Sequence, residues 1–194
     1  MNSLIQTLKV IHIVNAILMA WPYYALVAGN QRARLGPPLG DRTDTYFENI
    51  VKNRVIPCFV FQATALVTGL ALVLVRGLGV DVLVKNPALG LKLGLGFLIT
   101  VLLSYVHFSL QPRIDALFAQ AGNPVSADVA SRIGALRLRR TRLASVCLFV
   151  VLTVSMLGVQ VWIPFPVWLT SLLAIATAVF VWRAYKTATP YGWV

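Results

Sequence analysis

Acidic side chains are scarce in this chain: six in 194 residues, and all of them (Asp41, Asp44, Glu48, Asp81, Asp115 and Asp128) fall outside the long apolar runs. Intramembrane proton relays and ion-coupled transport rest on carboxylates that face a bundle interior, so their absence from every apolar run argues against both. Paired-carboxylate acid/base chemistry is removed for the same reason. Cysteine is scarcer still. Cys58 and Cys147 belong to no Cys-x-x-Cys pattern, which leaves a zinc site or a covalent heme attachment without support and fits two small buried apolar residues. Three methionines without a Met-x-x-Met, and no histidine-rich tract, speak against copper handling.

What is abundant is apolar surface. The chain is 58% hydrophobic and 12% charged, with a mean hydropathy of +0.78, outside the range of soluble domains. Five segments have the character of spans: 8–27, 55–75, 91–110, 143–161 and 166–181. A bilayer core needs about 20 helical residues. The expected fold is therefore all-α, a single membrane domain over 1–194 in which a four-helix transmembrane bundle is followed by a fifth C-terminal transmembrane helix.

The net charge of +11 suggests nucleic acid only until its distribution is read. Arg32, Arg34, Arg42, Lys52 and Arg54 flank the first connection. Arg113, Arg132, Arg137, Arg139, Arg140 and Arg142 flank the third, and Arg183 and Lys186 follow the last span. The opposite side holds Lys9, Arg76, Lys85 and Lys92, so 13 of 17 basic residues share one side. The positive-inside rule then gives an inner-membrane protein with its N-terminus outside and C-terminus cytoplasmic. Membrane lipids, not nucleic acid, are the expected partners of this charge, with Arg137, Arg139, Arg140 and Arg142 as a headgroup-contacting collar. The first span is too long for a signal peptide and no Ala-x-Ala site follows it, so it is expected to stay as an uncleaved helix.

The connections carry ordinary punctuation. The first, Ala28 to about Tyr46, contains Gly36-Pro37-Pro38-Leu39-Gly40 and reads as a loop. Pro87 suits the first turn of the third span. Ala121-Gly122-Asn123-Pro124 is a turn, and Ser126-Ala127-Asp128 starts a helix that runs through the arginine cluster into the fourth span. Trp162, Trp168, Trp182 and Tyr185 suit interfacial anchors.

At 100° per residue the polar and small residues form stripes. They are Lys9, His12, Ala16, Met19 and Tyr23 in the first span, and Arg54, Cys58, Gln62, Ala65, Gly69 and Arg76 in the second. The third has Lys92, Gly96, Thr100, Leu103 and His107, and the fourth Arg142, Phe149, Thr153, Met156 and Gln160. A bundle with a partly polar interior follows, although small residues on a stripe equally serve close packing. His12 and His107, the only histidines, are functional-site candidates because imidazole in hydrocarbon is costly. At 1.5 Å per residue they differ in depth by roughly 18 Å. His12 is level with Lys92 and roughly with Met156, and His107 with Tyr23 and Cys58, so two separate polar sites are expected.

Leu8-Lys9-x-x-His12, Glu48-x3-Lys52-x-Arg54-x2-Pro57 leading into a span with Gly69, and Lys92 followed by Tyr105-x-His107 form an ordered set. Over roughly residues 5–160 this set resembles the HemJ-type protoporphyrinogen oxidases and the wider CopD-like membrane proteins. The resemblance implies a bundle associated with heme b, with His12 and Lys92 at positions such proteins use for function. The chain departs from it in lacking an Asn-Glu-x-Pro element before the fourth span, where Leu136-Arg137-Leu138-Arg139-Arg140 stands, and in adding a fifth span. On this reading the chain is a heme b-binding redox protein, an oxidase or electron carrier. His12 is the axial ligand, Met156 a candidate second ligand, Lys92 lies near a propionate, and His107 is a further cofactor-contact candidate. Two alternatives stand beside it: an accessory or assembly subunit of a respiratory or photosynthetic membrane complex, and a copper-handling or small transporter protein.

The charge asymmetry makes a direct prediction. A reporter active only in the cytoplasm should be active when fused after Val194 and silent when inserted near Gly79.

Overall fold

The computed structural model describes residues 2–20, 39–53, 55–122, 124–161 and 163–186. Tyr23, Arg32, Arg34, Arg54 and Trp162, and most of the first connection, lie outside these residues. The described residues form helices and no strand: α1 (Asn2–Leu18), α2 (Arg42–Asn53), α3 (Val55–Val75), α4 (Val82–Lys85), α5 (Pro87–Tyr105), a π turn (Val106–Leu110), α6 (Gln111–Gln120), α7 (Ala127–Gln160) and α8 (Val167–Lys186). Backbone groups in hydrocarbon have no water to bond, and helices satisfy them internally. Three helical runs are long and apolar enough to cross a membrane, Arg42–Val75, Pro87–Gln120 and Ala127–Gln160. Ser3–Leu18 and Val167–Arg183 are shorter apolar helices. This is an all-helical membrane protein.

Local chemistry explains several boundaries. The Asn86 side chain accepts hydrogen bonds from Ala88 N (3.0 Å) and Leu89 N (3.3 Å), and Pro87 occupies the first turn of α5. α7 starts after Ser126, as expected, and runs unbroken to Gln160. The π turn precedes Pro112, which has no N–H to give to the carbonyl four residues back. Gln111 N bonds instead to Val106 O, five residues back.

α1 packs on α3, α5 on α7 and α3, and α8 on α7. Cys58, Ile99, Leu103, Val150 and Val151 form the buried apolar centre, with Met19, Phe59, Leu95, Cys147 and Val154 against it. Both cysteines are free thiols in this packing. Ile17, Leu66, Val67, Phe97 and Phe108 are exposed, the outward apolar surface a lipid-facing bundle needs.

Two expectations are corrected at the charged end. The first connection is not loop as far as Tyr46, because α2 begins at Arg42 and carries Asp44 and Glu48 one turn apart on one face. Nor do the four arginines of α7 form one collar. Arg137 and Arg140 turn inward, their side chains 16% and 11% exposed. Arg137 pairs with Asp44 (2.8 Å) and Glu48 (2.9 Å). Arg140 donates to both oxygens of Glu48 and to Gln111 Oε1 (2.7 Å). Gln111 Nε2 returns bonds to Glu48 (3.0 Å) and Asp115 (3.1 Å), and Lys52 pairs with Asp115 (2.7 Å). The physical reason is mutual. Two carboxylates and two guanidiniums at matching helical spacing satisfy one another better than either would satisfy a headgroup across a packed interface. Arg139 and Arg142 remain exposed and lie over the rings of Tyr105 (5.4 Å) and Tyr185 (5.4 Å).

Asp44 and Glu48 precede Val55, where the apolar part of their run begins, so Glu48 titrates outside the spanning segment. Burial alone would raise the Glu48 pKa. The hydrogen bond and charge of Arg140, with Arg137 and Gln111, overcome that and hold it at about 2. A depressed carboxylate stabilises the fold above its ordinary pKa of 4.5 and loses that contribution as pH falls toward about 2. Thermal melts should therefore show wild type losing stability across that window while Glu48→Gln does not share this loss. At neutral pH Glu48→Gln should be destabilised by about 3 kcal/mol, because it leaves buried guanidiniums without their counter-charge.

Candidate functional site at the His12–Lys92 junction

α1 carries His12 onto the face of α3 at Thr68 and Gly69, and α5 carries Lys92 to the same point. Lys92 Nζ lies 2.9 Å from His12 Nε2, and His12 Nδ1 lies 2.9 Å from Thr68 Oγ1. Thr68 Oγ1 in turn donates to Thr64 O at 2.7 Å. These contacts fix the protons. An ammonium can only donate, so Nε2 accepts. The Thr68 proton is committed to Thr64, so Thr68 accepts from Nδ1–H. The hydrogen-bond pattern thus assigns His12 as the neutral Nδ1–H tautomer, its Nε2 lone pair aimed into the junction.

Two glycines make room for this geometry. A Cβ at Gly69 would lie 3.2 Å from His12 Cε1, and one at Gly158 would lie 3.1 Å from Lys92 Nζ. Both are closer than side chains ordinarily approach. Gly69 therefore lets the imidazole lie against α3, and Gly158 lets α7 close over the lysine. One helical turn further along α5, Gln62 Nε2 donates to Gly96 O and to Thr100 Oγ1 (2.6 Å), joining the stripes of α3 and α5. Gln62 Oε1 is buried and has no hydrogen-bond partner among the described residues.

The remaining candidates lie elsewhere. Met156 is two residues from Gly158, a rotation of roughly 200° around α7, so it does not share the face that meets Lys92. His107 sits in the π turn, 15 residues beyond Lys92 and thus roughly 22 Å along the helix. Its ring is edge-on to Phe59 (6.1 Å) and Phe108 (4.8 Å). The structure therefore brings His12 and Lys92 together and leaves Met156 and His107 apart from them. Thr68 and Gly158 are the residues sequence reasoning missed. Thr68 adjoins Gly69 but lies about 100° around the helix from it, off the stripe, and Gly158 becomes meaningful only once Lys92 is seen against it.

Among the described residues no group of three or more His, Cys, Asp or Glu side chains could hold a metal ion. His12 offers one nitrogen, too few donors for a protein-built metal cage. Comparison with family models, curated proteins and solved structures finds no match for this chain.

With only two histidines, a 15N-histidine-labelled sample reports this site cleanly. Wild type should show one Nδ1–H neutral imidazole with a hydrogen-bonded Nε2. Thr68→Val removes the acceptor that holds Nδ1–H and should shift His12 toward a tautomer mixture, leaving the His107 resonances in place.

Proposed function

We propose that this chain is a polytopic inner-membrane protein that binds heme b through His12 and serves as an oxidase or electron carrier. In this reading α1, α3, α5 and α7 are the four-helix bundle and α8 is the fifth span. The N-terminus is outside and the C-terminus cytoplasmic. The collection of Arg137, Arg139, Arg140, Arg142 and Lys186 with Tyr105, Tyr185 and Trp182 supports that orientation, since cations and amphipathic rings gather at the cytoplasmic interface.

One observation carries the heme assignment: the placing of the two His12 ring nitrogens, Nδ1 at 2.9 Å from Thr68 Oγ1 and Nε2 at 2.9 Å from Lys92 Nζ. A metal-bound histidine usually gives its second ring N–H to a fixed acceptor, which orients the ring and raises the basicity of the ligating nitrogen. Thr68 is that acceptor, and the lone pair that would ligate is on Nε2, where Lys92 sits. The donor chemistry therefore fits. Lys92 now holds the lone pair, and its ammonium sits at the end of a long, flexible side chain that can yield the position. When bound, heme b would supply one-electron chemistry, with His12 as the residue that would hold it and influence its potential. The protein's own share is to hold Nε2 unprotonated, to place a cation beside it and to exclude water with α7 at Gly158. The resemblance to HemJ-type and CopD-like proteins supports the same residues.

The detergent-purified protein, expressed with ample heme, should show a Soret band and a reduced α band of the b type. His12→Ala should abolish or shift both, and His107→Ala should leave them. Colourless wild type would overturn the heme reading in favour of an accessory subunit whose exposed apolar faces meet partner helices. Bleaching by His107→Ala alone would move the heme to the π turn.

A further inference from the structure

We infer that the His12–Lys92 junction receives a carboxylate carried on an apolar body, with Lys92 as its counter-ion. This rests on the reading of the junction as a ligand site but requires no iron. The argument is a census of charge. All six side-chain carboxylates of the chain lie among the described residues, and none is within ion-pair distance of Lys92. Asp44 and Glu48 are taken by Arg137 and Arg140, Asp115 by Lys52, and Asp81 by Lys85 at 2.8 Å. Asp41 accepts the Asp44 N–H at 2.6 Å. Asp128, in the first turn of α7, is 30 residues from Gly158, or roughly 45 Å along the helix.

A cation inside a helical bundle is costly without an opposite charge, and among the described residues the hydrogen-bond partner of Lys92 is the His12 imidazole. Lys85, near the same end, differs in being paired with Asp81. Lys92 also does not reach outward as lysines near helix ends do. It turns in to His12 and lies against Gly158. A carboxylate brought to it within the bundle would supply the opposite charge that the six side-chain carboxylates do not. Pro87 opens the helix five residues earlier, placing Lys92 about 7.5 Å inside that end. This depth suits a carboxylate on an apolar chain better than a phosphodiester held at the interface. With no heme at Nε2, His12 would keep accepting one Lys92 N–H while the ligand accepts another, a charge-assisted bond. Two sources carry this chemistry: a free single-chain acid dissolved in the bilayer, and the serine carboxylate of a phospholipid headgroup.

The test uses the full chain in a neutral maltoside detergent and follows its five tryptophans during titration with dodecanoate or with methyl dodecanoate. Dodecanoate should bind at least about tenfold more tightly than the ester, the scale of one charge-assisted bond. Lys92→Gln should abolish the preference and Lys92→Arg should retain it. In nanodiscs, displacement of dodecanoate by phosphatidylserine assigns the headgroup as the source, and failure to displace it assigns the free acid. Equal binding of acid and ester by wild type overturns the inference, whether or not the variants fold. A preference that survives in folded Lys92→Gln overturns it as well. A His12-dependent Soret band with equal binding of acid and ester would sink this inference alone. Colourless protein that prefers the acid would sink the heme reading alone.

Discussion

A polar atom inside a bilayer must be answered by another atom of the protein, and the arrangement of this chain follows from that constraint. Main-chain groups meet it by forming helices. Side chains meet it by drawing those helices together at a few points. Lys92, His12 and Thr68 join α5, α1 and α3 in one chain of hydrogen bonds. Gln62 joins α3 to α5 again at Gly96 and Thr100. Apolar contact alone would not select these registers, because lipid tails are as apolar as leucine and van der Waals packing tolerates sliding.

At the charged end the same constraint has a different energetic character. Buried ion pairs repay desolvation only when geometry is good, and they add little net stability over a well-packed apolar alternative. Their effect here is positional. Arg137 and Arg140 engage α2 through Asp44 and Glu48 and α6 through Gln111, so two helices are fixed at one point on α7. Removing one member leaves its partners charged and dry, which makes the cluster intolerant of single substitutions.

Much of the architecture was legible in the residues. Hydropathy located α3 at its observed limits, Pro87 marked the start of α5, and Ser126 the start of α7. Counting helical rise placed His12 and Lys92 at one level, and the structure has them hydrogen-bonded. The inward turn of Arg137 and Arg140 was not legible in the same way. Their i,i+3 spacing matches the i,i+4 spacing of Asp44 and Glu48, but 93 residues separate Arg137 from Asp44, and a basic run at a span end reads as headgroup contact when no partner is known. Thr68 stayed hidden because a threonine in an apolar helix ordinarily bonds its own backbone, as Thr64 and Thr153 do here. Only the tertiary approach of α1 gives its oxygen a second task.

The π turn at Val106–Leu110 lies between the two polar centres, with Lys92 on one side of it and Gln111 on the other. An inserted residue in a helix advances everything beyond it by about 100°. The turn therefore acts as a phase setting between a half-helix committed to the His12 junction and a half-helix committed to the arginines. Each half can present its own polar face correctly only because of that offset. Deleting one residue there would leave the two ends of the rod individually intact and mutually out of step.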